Sequence, residues 1–181
     1  MLIDNLRTHI TISGTGKPLL LVHGLGGPQM WDRMIEPLSK NFQVIVVHLP
    51  GFGESDCPAR PFISEDHANV LKKVLDELNI PKTTITGISY GGQIAAAFAR
   101  QFPDRVERLI LIVSTGLAGE KWIERNEVVW RMFSRLVGQT VLQSSRLLEF
   151  FSRRSFYDLS ARPQEFVQKF YRQLLPSCKR D

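Results

Sequence analysis

A chain of 181 residues with 43% hydrophobic and 23% charged residues can bury one substantial core and has the ordinary make-up of a globular protein. No window approaches the eighteen or more apolar residues of a membrane span, and residues 1–13 mix charge with apolarity instead of forming a signal-peptide core, so a cytoplasmic location is expected. The net charge of +5 arises wholly beyond residue 116, interleaved with apolar residues at helical spacing and without a compact basic run, which reads as solvated helix faces and excludes a nucleic-acid partner.

In chain order, residues 8–13 read as a strand closed by a turn at 13–16. Residues 18–22 are apolar on both faces, as a strand of a parallel sheet covered by helices on each side should be. The loop His23-Gly24-Leu25-Gly26-Gly27 follows. Met30, Trp31, Met34, Ile35 and Leu38 then recur at helical spacing, with a kink expected at Pro37. Residues 44–47 form a second buried strand, ending in the loop 48–55. Val70, Leu71, Val74, Leu75 and Leu78 line a helix with Ser64 as its expected N-cap and Glu65 and Asp66 in its first turn. Residues 83–86 make a third strand, 93–100 a small-residue helix and 109–113 a fourth, fully apolar strand. Strand and helix alternate, which predicts an α/β fold with a mostly parallel sheet and flanking helices over 1–116. From 117 to 181 only helical patterns remain, marked by Trp122, Met132 and Phe133, by Leu147 and Phe150, and by Phe166 and Phe170.

Between the third strand and its helix lies Gly87-Ile88-Ser89-Tyr90-Gly91. A very sharp strand-to-helix turn throws the serine hydroxyl clear of the sheet and leaves no space for side chains two positions either side, which is where the glycines stand. Two other glycine-rich loops invite a nucleotide reading and fail it. The third glycine of a dinucleotide fingerprint counted from Gly24 falls on Gln29, and counted from Gly51 on Asp56; no Gly-Lys-Ser/Thr is present. Cys57 and Cys178 are too few for a disulfide framework and are read as free thiols. No metal or cofactor is implied.

Taken together, residues 23–27 after one strand, Gly51-Phe52-Gly53-Glu54-Ser55 after the next and 87–91 after a third resemble the α/β-hydrolase superfamily, in its branch of cap-bearing esterases. The resemblance implies that Ser89 is a nucleophile, that the backbone N–H groups of Leu25 and Tyr90, rather than Gly26, form an oxyanion hole, and that 117–181 is a helical cap. It implies a hydrolase acting on an ester-like carbonyl of a hydrophobic small molecule. A serine hydroxyl at neutral pH needs a base to take its proton, and a tetrahedral oxyanion needs fixed donors. His23 looks structural, orienting the loop it precedes. His48 stands where relatives carry Asp, and His9 and His67 are expected at the surface.

In this family the triad runs Ser, then an acid, then His. No histidine follows His67, and the turn after residues 109–113 offers only Ser114 and Thr115. The resemblance therefore expects a core lacking its C-terminal strands, with weak or no activity in the isolated chain. A non-catalytic binding protein of the same fold is the alternative, and a base recruited from His48 or from a second chain a third reading. The strand at 109–113 is expected to be an exposed edge through which chains self-associate.

Overall fold

The structure, a computed structural model, describes residues 1–60 and 62–115, so the cap expected over 117–181 lies outside the described residues. The chain enters through a hairpin of β1 (Leu2–Ile3) and β2 (Leu6–Arg7), turned by Asp4 and Asn5 at φ 48° and 63°. Both residue types tolerate the left-handed region, and their two-residue turn matches the twist of the flanking strands. The main elements follow as β3 (Ile10–Ser13), β4 (Lys17–Val22), α1 (Asp32–Ser39), β5 (Phe42–Val47), α2 (Ser64–Glu77), β6 (Thr83–Ile88), α3 (Tyr90–Gln101) and β7 (Val106–Ile112). Five strands join in the order β3-β5-β4-β6-β7, with β3 antiparallel and the rest parallel. This confirms the mostly parallel α/β sheet with flanking helices.

Period two along the central strands decides which helix covers which face. Leu20 and Val22 of β4, Ile45 and Val47 of β5 and Ile85 of β6 join Leu71, Val74 and Leu75 of α2 and Ile94 and Phe98 of α3 in one core. The intervening residues, Leu19, Leu21, Val44 and Val46, face the other way and meet Trp31, Ile35 and Leu38. The register Leu19↔Val44 and Leu20↔Ile45 keeps like-facing residues side by side, and a one-residue slip would turn both sets to the wrong face. Strands apolar on both sides are the signature of a sheet sandwiched between helices.

Several details differ from the sequence reading. Ser64 is the first helical residue of α2 and not its N-cap, which is Ile63: the Asp66 carboxylate at N3 reaches back to accept from the Ile63 N–H at 3.0 Å, the reciprocal half of a capping box. Bidentate contact with Arg60, at 2.7 Å from each oxygen, holds that carboxyl at a pKa of about 2, with the Ile63 N–H adding to the effect. Strand β7 starts at Val106, three residues before the apolar run. Cys57 is disulfide-bonded, where the sequence predicts a free thiol.

β4 is the strand at which the chain order reverses: β5 lies on one side of it, and the crossover through α2 delivers β6 to the other. Loops after the carboxyl ends of β4 and β6 therefore meet at a switch point of the topology, where open α/β sheets place their ligands. Among the described residues β7 is an edge of the sheet, and its Leu109, Ile110 and Ile112 are 36–44% exposed.

Phe98 is fully buried where α3 meets the sheet and packs edge-on to Phe102, with ring centroids 5.3 Å apart. Phe98→Ala is expected to lower unfolding free energy by about 3–5 kcal/mol in urea titrations. A loss below about 1 kcal/mol would mean that α3 is not anchored there.

Candidate functional site

Strand β6 ends at Ile88 and α3 begins at Tyr90, so Ser89 alone makes the turn. Its φ of 55° and ψ of −122° lie in a region that L-residues rarely occupy, at a cost of roughly 1–3 kcal/mol. The surrounding backbone holds it there. The Ser89 N–H donates to the Ile112 carbonyl at 3.0 Å, while its own carbonyl accepts from the Gly92 N–H at 2.9 Å and the Thr115 N–H at 3.2 Å.

Close approach explains the glycines around it. A Cβ on Gly87 would lie 2.2 Å from the Gly91 carbonyl oxygen, and one on Gly91 would lie 2.3 Å from that of Val22 and 2.5 Å from that of His23. Neither position has space for a side chain, so β4, β6 and α3 converge on backbone alone. Gly24 completes the contact from the β4 side: a Cβ there would stand 3.1 Å from the Ser89 Cβ and 3.6 Å from its Oγ. The loop at 23–27 and the serine predicted from sequence are thus brought together. Tyr90, as the first residue of α3, has an N–H without an intrahelical partner, at the positive end of the helix dipole.

His23 is fully buried and links two loops. Its Nδ1–H donates to the Gly24 carbonyl at 2.7 Å and its Nε2 accepts from the Leu49 N–H at 3.1 Å, which fixes the tautomer. Burial lowers its pKa to about 3, against the raising effect of the Gly24 bond. With both nitrogens engaged the ring is a strut, as the sequence reading expects. Gln29, which sequence reasoning missed as a contributor, is buried and donates through Nε2 to the Gly26 carbonyl, while the Gly27 N–H donates to the Gly24 carbonyl at 3.1 Å. The available signal was a polar residue two positions before Trp31, just after the glycine-rich loop.

His67 is not at the surface: it is 3% exposed, edge-on to Phe62 and to Tyr90, with centroids 5.5 and 6.0 Å away. It continues the α2 stripe of Leu71, Val74 and Leu75 backward by one turn, a spacing that was legible. Burial lowers its pKa to about 4. His48, half-buried, accepts from the Glu54 N–H through Nδ1 at 3.2 Å and lies against His9, with centroids 4.3 Å apart. Its pKa is likewise lowered to about 4, by burial and then by His9. Among the described residues no side chain hydrogen-bonds the Ser89 hydroxyl. A cleft of about 360 Å³ lined by Arg7, His9, Glu54 and Leu78 does not include it.

The histidines set a pH dependence. Unfolded His23 and His67 would titrate near 6.5, so between that value and about 3–4 the unfolded chain binds protons that the folded chain refuses. Stability from these groups is complete above about 6.5 and is lost as pH falls. Urea unfolding at pH 5 is expected to show a deficit of roughly 2 kcal/mol for each ring relative to pH 7.5, and His67→Phe to flatten the slope. A flat wild-type profile would mean that both rings are hydrated.

Comparison with known proteins agrees with this architecture. A family model described as the alpha/beta hydrolase fold matches residues 17–177. A Mycobacterium tuberculosis protein of uncharacterised activity is 34% identical over 146 residues, 80% of this chain and 41% of its own length. The 2-hydroxymuconate semialdehyde hydrolase of Pseudomonas sp. strain CF600 is 40% identical over 121 residues, 62% of this chain and 42% of its own. Among solved structures, the meta-cleavage product hydrolase CumD of Pseudomonas fluorescens superimposes with a TM-score of 0.75 at 28% identity, covering 96% of this chain and 62% of that one. A thermophilic esterase of Thermogutta terrifontis gives 0.73 at 30% identity, covering 94% and 62%. The chain spans about two fifths of the length of the curated relatives it matches. With the three glycine loops in register at the carboxyl edge of one parallel sheet, the chain belongs to the α/β-hydrolase family.

Proposed function

We propose that Ser89 is the nucleophile of a hydrolase and attacks a carbonyl carbon of a hydrophobic small molecule. The observation that carries this is the contact between the strained Ser89 turn and Gly24, which sets the hydroxyl beside the loop at 24–27. In this reading the Leu25 and Tyr90 N–H groups receive the oxyanion, and His23 and Gln29 hold the loop that presents the first of them. A serine hydroxyl is weakly nucleophilic on its own, so the reaction also requires a base. His23 is committed to two backbone groups, and His48 receives the Glu54 amide. Without a base, serine hydrolases lose roughly a millionfold in turnover, and slow acylation is expected of this chain.

The bond cleaved is proposed from relatives. Those matched at 32–40% identity include hydrolases named for 2-hydroxymuconate semialdehyde and 2-hydroxy-6-oxo-2,4-heptadienoate, which favours a carbon-carbon bond beside a ketone over the ester expected from sequence. A non-catalytic binding protein is the second reading, favoured by the unbonded hydroxyl among the described residues. A fluorophosphonate probe should label the wild type and leave Ser89→Ala unlabelled, and a dienoate of the named type should turn over faster than a p-nitrophenyl ester. Equal labelling of both proteins would remove Ser89 from the mechanism, and saturable binding of either compound without labelling would favour the binding protein. The half-exposed edge β7 is proposed to pair with a second chain, which light scattering would detect as a species heavier than a monomer.

A further inference from the structure

Away from Ser89, His9 and His48 form a directly opposed pair. The antiparallel register Ile10↔Val47 extends outward by one residue to bring them together, with the His48 N–H donating to the His9 carbonyl at 2.9 Å. Opposed residues of an antiparallel pair share a face, which sets the two imidazoles 4.3 Å apart between centroids, tilted by 46°. The loop that follows β5 returns over them. Ser55 fastens it, its hydroxyl donating to the His48 carbonyl at 2.5 Å and accepting from the His9 N–H at 2.9 Å. Gly53, at φ 58°, passes so close that a Cβ would meet the His48 ring at 2.6 Å. This brings Glu54 beside both rings.

One nitrogen of each imidazole and one Glu54 carboxylate oxygen all lie within 4.8 Å of one another. His9 Nδ1 and Glu54 Oε2 are already 3.4 Å apart. Ligands of a tetrahedral zinc ion, bound at about 2.0–2.1 Å, sit about 3.4 Å from each other, so this pair needs no rearrangement and the third ligand closes by side-chain rotation of about an ångström. We propose that His9, His48 and Glu54 form a binding site for a borderline divalent metal such as Zn²⁺. Two imidazoles and one carboxylate suit zinc, copper or nickel, whereas magnesium and calcium require oxygen ligands. Three protein ligands leave a fourth position for water.

The competing contacts are weak. His48 Nδ1 accepts only the Glu54 N–H, at 3.2 Å and in an exposed loop, so a metal on that nitrogen leaves the amide to water. Arg7, which lines the adjoining cleft, has its charge met by Asp56 at 3.3 Å. Occupancy would tie the loop at 48–55 to β3 on the side opposite the β4–β5 pairing and would raise stability by mass action.

The test uses the full chain freed of metal with a chelator. Calorimetric titration with Zn²⁺, and visible absorption with Co²⁺ as its reporter, should show one ion per chain, unaffected by Mg²⁺. Zn²⁺ should also raise the melting temperature. Glu54→Gln, an exposed and nearly isosteric change, and His9→Ala should each weaken binding about tenfold or more and abolish the thermal shift. Glu54→Gln keeps the test open if His9→Ala fails to fold. Zinc uptake unchanged in Glu54→Gln would place the ion elsewhere. Absence of stoichiometric uptake by the wild type would reduce the cluster to a histidine–carboxylate contact. Either result overturns the proposal.

Discussion

Everything at the carboxyl edge of this sheet depends on how closely three backbones approach around Ser89. Gly91 lies so near the carbonyls of Val22 and His23 that one methyl group would force α3 away from β4. Gly87 faces the same limit against Gly91. With side chains removed from the contact, the strand can turn into the helix within a single residue, and that residue takes the strained φ and ψ. The strain is small beside the burial that opposes it, because Ile94, Ala95 and Phe98 hold α3 on the core only a turn or two away.

The four histidines show how far environment outweighs residue type. Although their free-solution chemistry is the same, His23 is a fully buried strut with both nitrogens satisfied, and His67 is part of an apolar stripe with no partner for its Nδ1 among the described residues. His48 and His9 face each other across two strands near solvent. Desolvation keeps the first two neutral, which suits positioning and removes them from proton transfer at ordinary pH. The strut has a structural consequence. By joining the Gly24 carbonyl to the Leu49 N–H, His23 couples the loops after β4 and β5, so the amides at 24–27 are presented from a fixed base.

On the proposal that Ser89 is a nucleophile, the described part of the chain separates two requirements of that chemistry. Placement of the hydroxyl and of the neighbouring amides is built by β4, β6 and α3. Proton transfer needs a further group that the described residues do not set against Ser89. In a family whose triad members are drawn from distant parts of the chain, that division follows from topology.

Fold class was legible because its signals are local and periodic: apolar runs in β4 and β5, 3.6-residue stripes in α1 and α2, and glycines where strand becomes helix. Ser89 was legible for the same reason, its demand for space on both sides being written in adjacent letters. Contacts between distant segments were not. His67 was misplaced because a histidine in a helix carries no mark of its face until the α2 stripe is laid on the sheet. Gln29 and Asp66 are different, since each reaches a backbone group only three residues away, local contacts that the sequence reading missed. His9 and His48, thirty-nine residues apart, become neighbours through strand register. Sequence by itself determined the strands β3 to β7, the helices α1 to α3 and which turn carries the serine, since short-range sterics and burial periodicity suffice for those, while the β1–β2 hairpin went unread. Only the tertiary structure decided which histidines are dry, which loops touch and which side chains share a face, because those depend on long-range pairing that no local pattern encodes.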